Sequence, residues 1–253
     1  MRELIAITDV TEMWASEVCI AGVTQELECV RPVTAGGVQI WDLYEDDNPI
    51  IFPGAKVWMD FSPAQIAPPH MEDRTFDPRS VEFKDAFEGQ YWETLLKKTS
   101  RESVQAIFDG NLKERQVTPG TQTRSLGTIG GVTILDLNVD RRYGNRTVLR
   151  IDFKDTSGEF HTRFPVNDLA FRRVYSQLLT HLSDKSDEFD EFDYFRASES
   201  LKRKLARANR TYLRIGLARP AKIGDYPETC WVQVTGVYTF PDYLDGRNWS
   251  SFR

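Results

Sequence analysis

The sequence predicts a mainly β protein with helical inserts (β+α), arranged as two small barrels, and three observations predict it. Short β-rich runs punctuated by Gly and Pro crowd both ends of the chain. Helical periodicity is confined to two inserts, near residues 80–110 and 167–209. Single strands do not alternate with helices, as a doubly wound sheet would require. The halves divide as residues 1–118 and 119–253.

Residues 4–8 (LIAIT) and 18–23 (VCIAGV) are short apolar runs, and 28–33 (ECVRPV) alternates between faces. Pro32 ends that strand or places it at an edge. Residues 55–61 (AKVWMDF) read as a fourth strand, with Val57 and Met59 on one face and Lys56, Trp58 and Asp60 on the other. Four prolines between residues 63 and 78 mark a loop. Two short helices follow, over 91–98 and 104–108. Thr99 with Glu102 reads as the capping box of the second, and Gly110-Asn111 as its stop.

In the second half, the glycine-rich segment 127–131 (GTIGG) reads as a turn between strands. Residues 132–139 alternate, and 147–153 and 159–164 form a hairpin across Asp155-Thr156-Ser157-Gly158. Asn167 or Asp168 caps a helix whose apolar face is Leu169, Val174, Leu178, Leu179 and Leu182. A basic helix over 198–209 follows the acidic run 184–193, and strands over 212–218 and 231–240 close the chain.

The 253 residues are 40% hydrophobic and 28% charged, which excludes a disordered chain, a collagen-like repeat and a small disulfide scaffold. No run of 18 apolar residues is present, so no membrane span is expected. Residues 1–5 (MRELI) lack the apolar stretch of a signal peptide. Cys19, Cys29 and Cys230 form no C-x-x-C pair and read as free thiols, which predicts a cytoplasmic protein. A net charge of −6, from 32 Lys+Arg against 38 Asp+Glu, disfavours indiscriminate coating of duplex DNA but allows a local basic groove.

Few residues pattern as catalysts. Arg124-Ser125-Leu126-Gly127 lacks the spacing of a nucleophile elbow, and the 127–131 glycines precede a strand, the wrong order for a phosphate-cradling helix. His70-Met71-Glu72 matches the H-x-E of zinc deaminases without their P-C-x-x-C, so that match fails. His70, Glu72 and Asp73, on a proline-tied loop, remain an alternative metal or acid–base cluster. His161 and His181 read as structural. No cofactor is expected.

Charge is segregated more sharply. Residues 201–222 carry eight cations and no acid, whereas 184–199 hold seven acids against Lys185 and Arg196. Either segment offers a surface for a protein partner. Alternation puts Tyr212 and Arg214 on one strand face beside small Gly216 and Ala218, and the next strand carries Trp231 and Gln233. An aromatic, an arginine and a glutamine on one sheet face suit a stacked base and its phosphate. Arg31 and Arg219 each precede a proline after a strand, and Arg142 and Arg146 flank a tight turn as further anion contacts.

Several segments together resemble prokaryotic proteins described as containing a dual OB domain. They are ITD (7–9), CIAGV (19–23), ECVRPV (28–33), PPHMED (68–73), RSLGTI (124–129), RIGLARP (214–220) and CWVQVTGVYTFPDYLDG (230–246), in the same order over nearly the whole chain. The resemblance implies two OB-like barrels and, by fold analogy, binding of nucleic acid or a nucleotide. The expected function is thus a non-enzymatic module recognising single-stranded nucleic acid or a nucleotide. Its expected contacts are Arg31, Arg142, Arg146, Tyr212, Arg214, Arg219, Trp231 and Gln233. A metal-dependent enzyme acting on nucleic acid through His70, Glu72 and Asp73, or a protein-interaction adaptor, is the alternative.

Overall fold

The computed structural model describes every residue except 64–67, 143–145, 184–188, 223–226 and 253, and the side chains of 141, 142 and 146. The first-half strands are β1 (Arg2–Glu12), β2 (Glu17–Val23), β3 (Cys29–Val33), β4 (Val38–Gln39), β5 (Tyr44–Glu45), β6 (Asn48–Pro49), β7 (Ala55–Asp60), β8 (Asp73–Thr75) and β9 (Glu82–Ala86). Six of them run in the order β8-β3-β2-β1-β7-β9, with β4 added to β2, while β5 and β6 pair separately. In β7 the alternation holds: Val57 and Met59 are buried, and Lys56, Trp58 and Asp60 are half-buried. The proline-marked loop contains a strand after all, because β8 pairs in parallel with β3.

Helices α1 (Gly89–Thr99) and α2 (Val104–Ile107) follow, with short strands β10 (Ser100–Arg101) and β11 (Gln116–Val117). The cap of α2 is Ser103, whose Oγ accepts from Ala106 N at 3.1 Å, in place of the expected Thr99–Glu102 box. Thr99 instead lies inside α1, where its hydroxyl donates to the Leu95 and Leu96 carbonyls.

The second half contributes β12 (Leu126–Gly130), β13 (Thr133–Arg142), β14 (Arg146–Lys154), β15 (Phe160–Pro165), α3 (Leu169–Leu182), α4 (Glu191–Leu205), β16 (Arg210–Leu217) and β17 (Cys230–Phe240). One sheet has the order β10-β12-β16-β17-β11, and the expected hairpin belongs to a three-stranded sheet β13-β14-β15. Both β10 and β11 precede residue 118, so this sheet draws on chain from before the midpoint. The glycine-rich segment is strand β12 and not a turn. A Cβ on Gly127 would lie 2.8 Å from the Ile107 side chain, and one on Gly130 2.8 Å from the Tyr212 ring. These glycines serve close packing. Helix α3 starts at Asp168, which accepts from Ala170 N and Phe171 N. The basic helix begins earlier than expected: Asp190 caps it in a box with Asp193, so α4 carries acids in its first turn and Lys202, Arg203 and Lys204 in its last.

Two large apolar cores and two small clusters form among the described residues. The larger joins Phe153, Phe164, Phe171, Ile215 and Val234. The smaller joins Ile5, Ile20, Val57 and Met59, and also takes in Leu169, Ala170 and Trp249 from the far end of the chain. The Trp249 indole donates to Ile51 O at 3.0 Å. No helix among the described residues is long and apolar enough to cross a membrane.

Between the cores lies a buried polar cluster. Arg214 on β16 is 0% exposed, and its Nε donates to Asp9 Oδ2 at 2.9 Å. Its Nη1 donates to Thr128 Oγ1 at 3.0 Å. Asp9 also accepts from the hydroxyls of Thr8 and Thr235. Burial alone would lower the Arg214 pKa, but the charges and hydrogen bonds of Asp9 and Cys29 together outweigh it and hold the guanidinium above its ordinary value. Two β-bulges build the cluster. The register slips between Ile7 and Asp9, making Thr8 the extra residue of β1, and between Arg214 and Ile215, making Thr235 the extra residue of β17. Tyr238 Oη donates to the bulged Thr8 carbonyl at 2.5 Å.

Asp9→Asn would leave a full guanidinium charge in the core without its counter-charge. We expect a loss of about 3–5 kcal/mol in urea unfolding. A loss below about 1 kcal/mol, the range of an exposed ion pair, would mean that the pair does not hold the halves together.

Candidate functional site

The face of β16 and β17 expected to bind a base is covered by the first half. Arg214 is spent on Asp9, which corrects its expected contact with phosphate. Tyr212 is buried in a cluster with Leu96 and Tyr238, and its hydroxyl donates to Glu93 at 3.3 Å. Trp231 is half-buried opposite Gln116 of β11. Gln233 Oε1 accepts from Asn167 Nδ2 at 2.5 Å. These four therefore do not form an open platform. Arg142 and Arg146 face one another across the β13–β14 register, and their side chains lie outside the described residues.

Arg31 and Arg219 do converge, but on an internal acid. Asp73 on β8 pairs with the buried Arg31, and its Oδ2 accepts from Arg219 Nη1 at 2.9 Å. That carboxylate fills the place of the expected phosphate. The neighbouring residues of the loop latch it to the second half. Glu72 Oε1 accepts from Ser125 N at 2.6 Å and Leu126 N at 3.2 Å, and its Oε2 from Ser125 Oγ at 2.6 Å. His70 is 2% exposed, and neither ring nitrogen has a hydrogen-bond partner. Burial, then the charges of Arg31 and Arg219, push its pKa down to about 3. Glu72 and Asp73 aim at different partners and the His70 ring nitrogens have none, so in place of the expected metal or acid–base cluster the two carboxylates form a structural latch.

The basic segment is also largely neutralised: Lys202 bridges Glu199 and Asp136, Lys204 pairs with Asp245, and Arg210 with Glu93. These partners sit partly outside the acidic run, on β13, on α1 and in the C-terminal loop.

An open cleft lies where the two halves meet, with a volume of about 560 Å³. The turn before β7 supplies Phe52, the segment after β9 supplies Phe87, and the first turn of α1 supplies Trp92. The end of β17 supplies Tyr238 and Phe240, and Trp249 closes the floor. Gly54, at φ +94°, turns the chain so that Gly54 N reaches Ile7 O and Phe87 N reaches Gly54 O, and Phe52 then meets Phe83 while Phe87 meets Trp92, with ring centroids 6.1 and 6.3 Å apart. Trp92 meets Tyr238 edge-on, with ring centroids 5.2 Å apart. Phe52, Phe87, Trp92 and Phe240 are each half-buried, so apolar ring surface remains open to a ligand.

The charged residues lining the cleft are Glu88, Asp168, Asp242 and Arg247. Arg247 stands half-exposed, 3.6 Å from Asp245 and with its guanidinium over the Phe252 ring. Asp168 is buried, and burial pushes its carboxyl up to about 7 against the pull of backbone donors from Val237, Phe171 and Ala170. Phe52, Phe87 and Trp92 carried no sequence signal as site residues, since they lie in a turn, a loop and a helix far apart in the chain. No protein-family model matches this sequence, and no curated protein matches it.

Folded protein keeps His70 neutral down to about pH 3, whereas the unfolded chain takes up that proton near pH 6.5. The unfolded state therefore binds more protons in between, and stability falls as pH drops through that window. We expect His70→Leu to remove up to about 1.4 kcal/mol per pH unit of this dependence. Urea midpoints measured across the window would show it. A variant as acid-sensitive as the parent would place the dependence on other groups.

Proposed function

We propose that the protein is a non-enzymatic binding module for a nucleotide or a short stretch of single-stranded nucleic acid, with the base seated in the aromatic cleft. It works in the cytoplasm, and its two halves are OB-like barrels. The observation that carries this function is the ring surface of Phe52, Phe87, Trp92 and Phe240 left open in a space of about 560 Å³, a size suited to a small ligand. Every base has a π-face, so such a wall accepts bases with little regard to sequence. Arg247, whose pair with Asp245 is solvent-exposed and weak, exchanges that partner for one phosphate. Asp168, tied to three backbone N–H groups, supports a structural role over a catalytic one.

Calorimetric titration with nucleoside monophosphates and a short oligothymidylate tests this. Trp92→Leu keeps the site apolar but removes a stacking ring, and should weaken binding by roughly tenfold or more, from ~1–3 kcal/mol per stacked base. Arg247→Ala should weaken a monophosphate while leaving the bare nucleoside unchanged. Absence of binding to every probe, or equal affinity in Trp92→Leu, would overturn the assignment.

A second function has separate support. Phe192 and Phe195 of α4 are 63% and 60% exposed, beside a groove of about 550 Å³ that also touches Asp136, Glu191 and Glu199. Exposed aromatics at such a rim suit a protein partner.

A further inference from the structure

The turn joining β14 to β15 places three metal-ligating side chains together. Asp155 N donates to Glu159 O at 3.1 Å and Gly158 N to Asp155 O at 3.1 Å, closing the turn with Gly158 at φ +92°. Glu159 and His161 lie two residues apart and so share a face as the chain enters β15. One donor atom from each of Asp155, Glu159 and His161 falls within 4.8 Å of the others.

From this geometry we infer that Asp155, Glu159 and His161 form a binding site for a divalent first-row transition ion. The donors span both ligand types such ions prefer, imidazole and carboxylate. His161 Nε2 and Asp155 Oδ2 lie 2.9 Å apart. That distance is a hydrogen bond, so a bound ion such as Mn²⁺, Co²⁺, Ni²⁺ or Zn²⁺ displaces the proton the two groups share. The ion takes the lone pair of Nε2, so the imidazole carries its hydrogen on Nδ1.

The surroundings hold these donors in place. Asp155 Oδ1 accepts from Ser157 N at 3.0 Å and Ser157 Oγ at 2.6 Å, and Oδ2 also accepts from Val104 N at 3.2 Å. Such outer contacts orient a ligating carboxylate. The His161 ring stacks on Phe153 with centroids 4.8 Å apart and meets Phe164 edge-on. Asp155 and His161 are buried, while Glu159 is exposed and leaves the site open to solvent. Among the described residues, no other three such donors, those of the His70 loop included, come this close together.

Glu159 gives the clean test. Glu159→Gln removes one ligand and keeps the Asp155–His161 hydrogen bond that braces the hairpin. Chelator-stripped full-length protein, titrated calorimetrically with Mn²⁺, Co²⁺, Ni²⁺ and Zn²⁺, should bind one ion, with its Tm rising as the ion is added. Glu159→Gln should bind at least tenfold more weakly and lose the Tm rise, while Trp92→Leu should bind the ion like the parent. The site is refuted if no ion binds saturably, or if Glu159→Gln binds as the parent does.

Discussion

The ion pair of Asp9 and Arg214 is the constraint on which the arrangement of the halves depends. Both side chains are removed from water, so each is tolerable only while the other is present. A buried arginine has five donors to satisfy, and the structure engages four of them by importing Asp9 from β1, Thr128 from β12 and the Cys29 sulfur from β3. Thr8 and Thr235 then complete the carboxylate. Regular strands would not put these groups in one place. One extra residue in β1 and another in β17 re-aim them, so the bulges and the charges explain each other.

The same junction builds the cleft. Tyr238 spans it, with its hydroxyl on the bulged Thr8 carbonyl and its ring against Trp92. Beyond it the chain turns back through Pro241 and delivers Trp249 into the core of the first half. The end of the chain is therefore a structural part of its beginning. The His70–Asp73 loop works in the opposite direction, fastening the first half to β12 through Glu72 and setting Asp73 between Arg31 and Arg219. Glu72 and Asp73, which pattern as chemistry in the sequence, act here as fasteners.

Much of the local structure was legible because it follows from short-range rules. The alternation of Val57 and Met59 in β7, the hairpin across residues 155–158 and the cap at Asp168 all depend on neighbours within a few residues. Where local rules misled, a distant partner was responsible except at the second helix, where a nearer residue took the cap. Gly127 and Gly130 look like turn residues until Ile107 and Tyr212 are seen pressing on them. Thr99 with Glu102 satisfies the spacing of a capping box, yet Ser103 sits one residue before the helix and takes the bond. The acidic run is the neighbour that the sequence offers the basic one, because sequence does not display the acids of β13, α1 and the C-terminal loop that lie against the cations.

Composition, alternation and turn chemistry by themselves determined a mainly β chain with two helical inserts, because strand and turn preferences are settled locally. Which sheet faces meet water was decided only by tertiary packing. The face bearing Tyr212 and Arg214 alternates as a half-exposed strand would, and then disappears beneath β1. The aromatic cleft likewise joins residues some two hundred positions apart, such as Phe52 and Trp249. No periodicity links such positions, since it is burial of apolar surface across the whole molecule that brings them together.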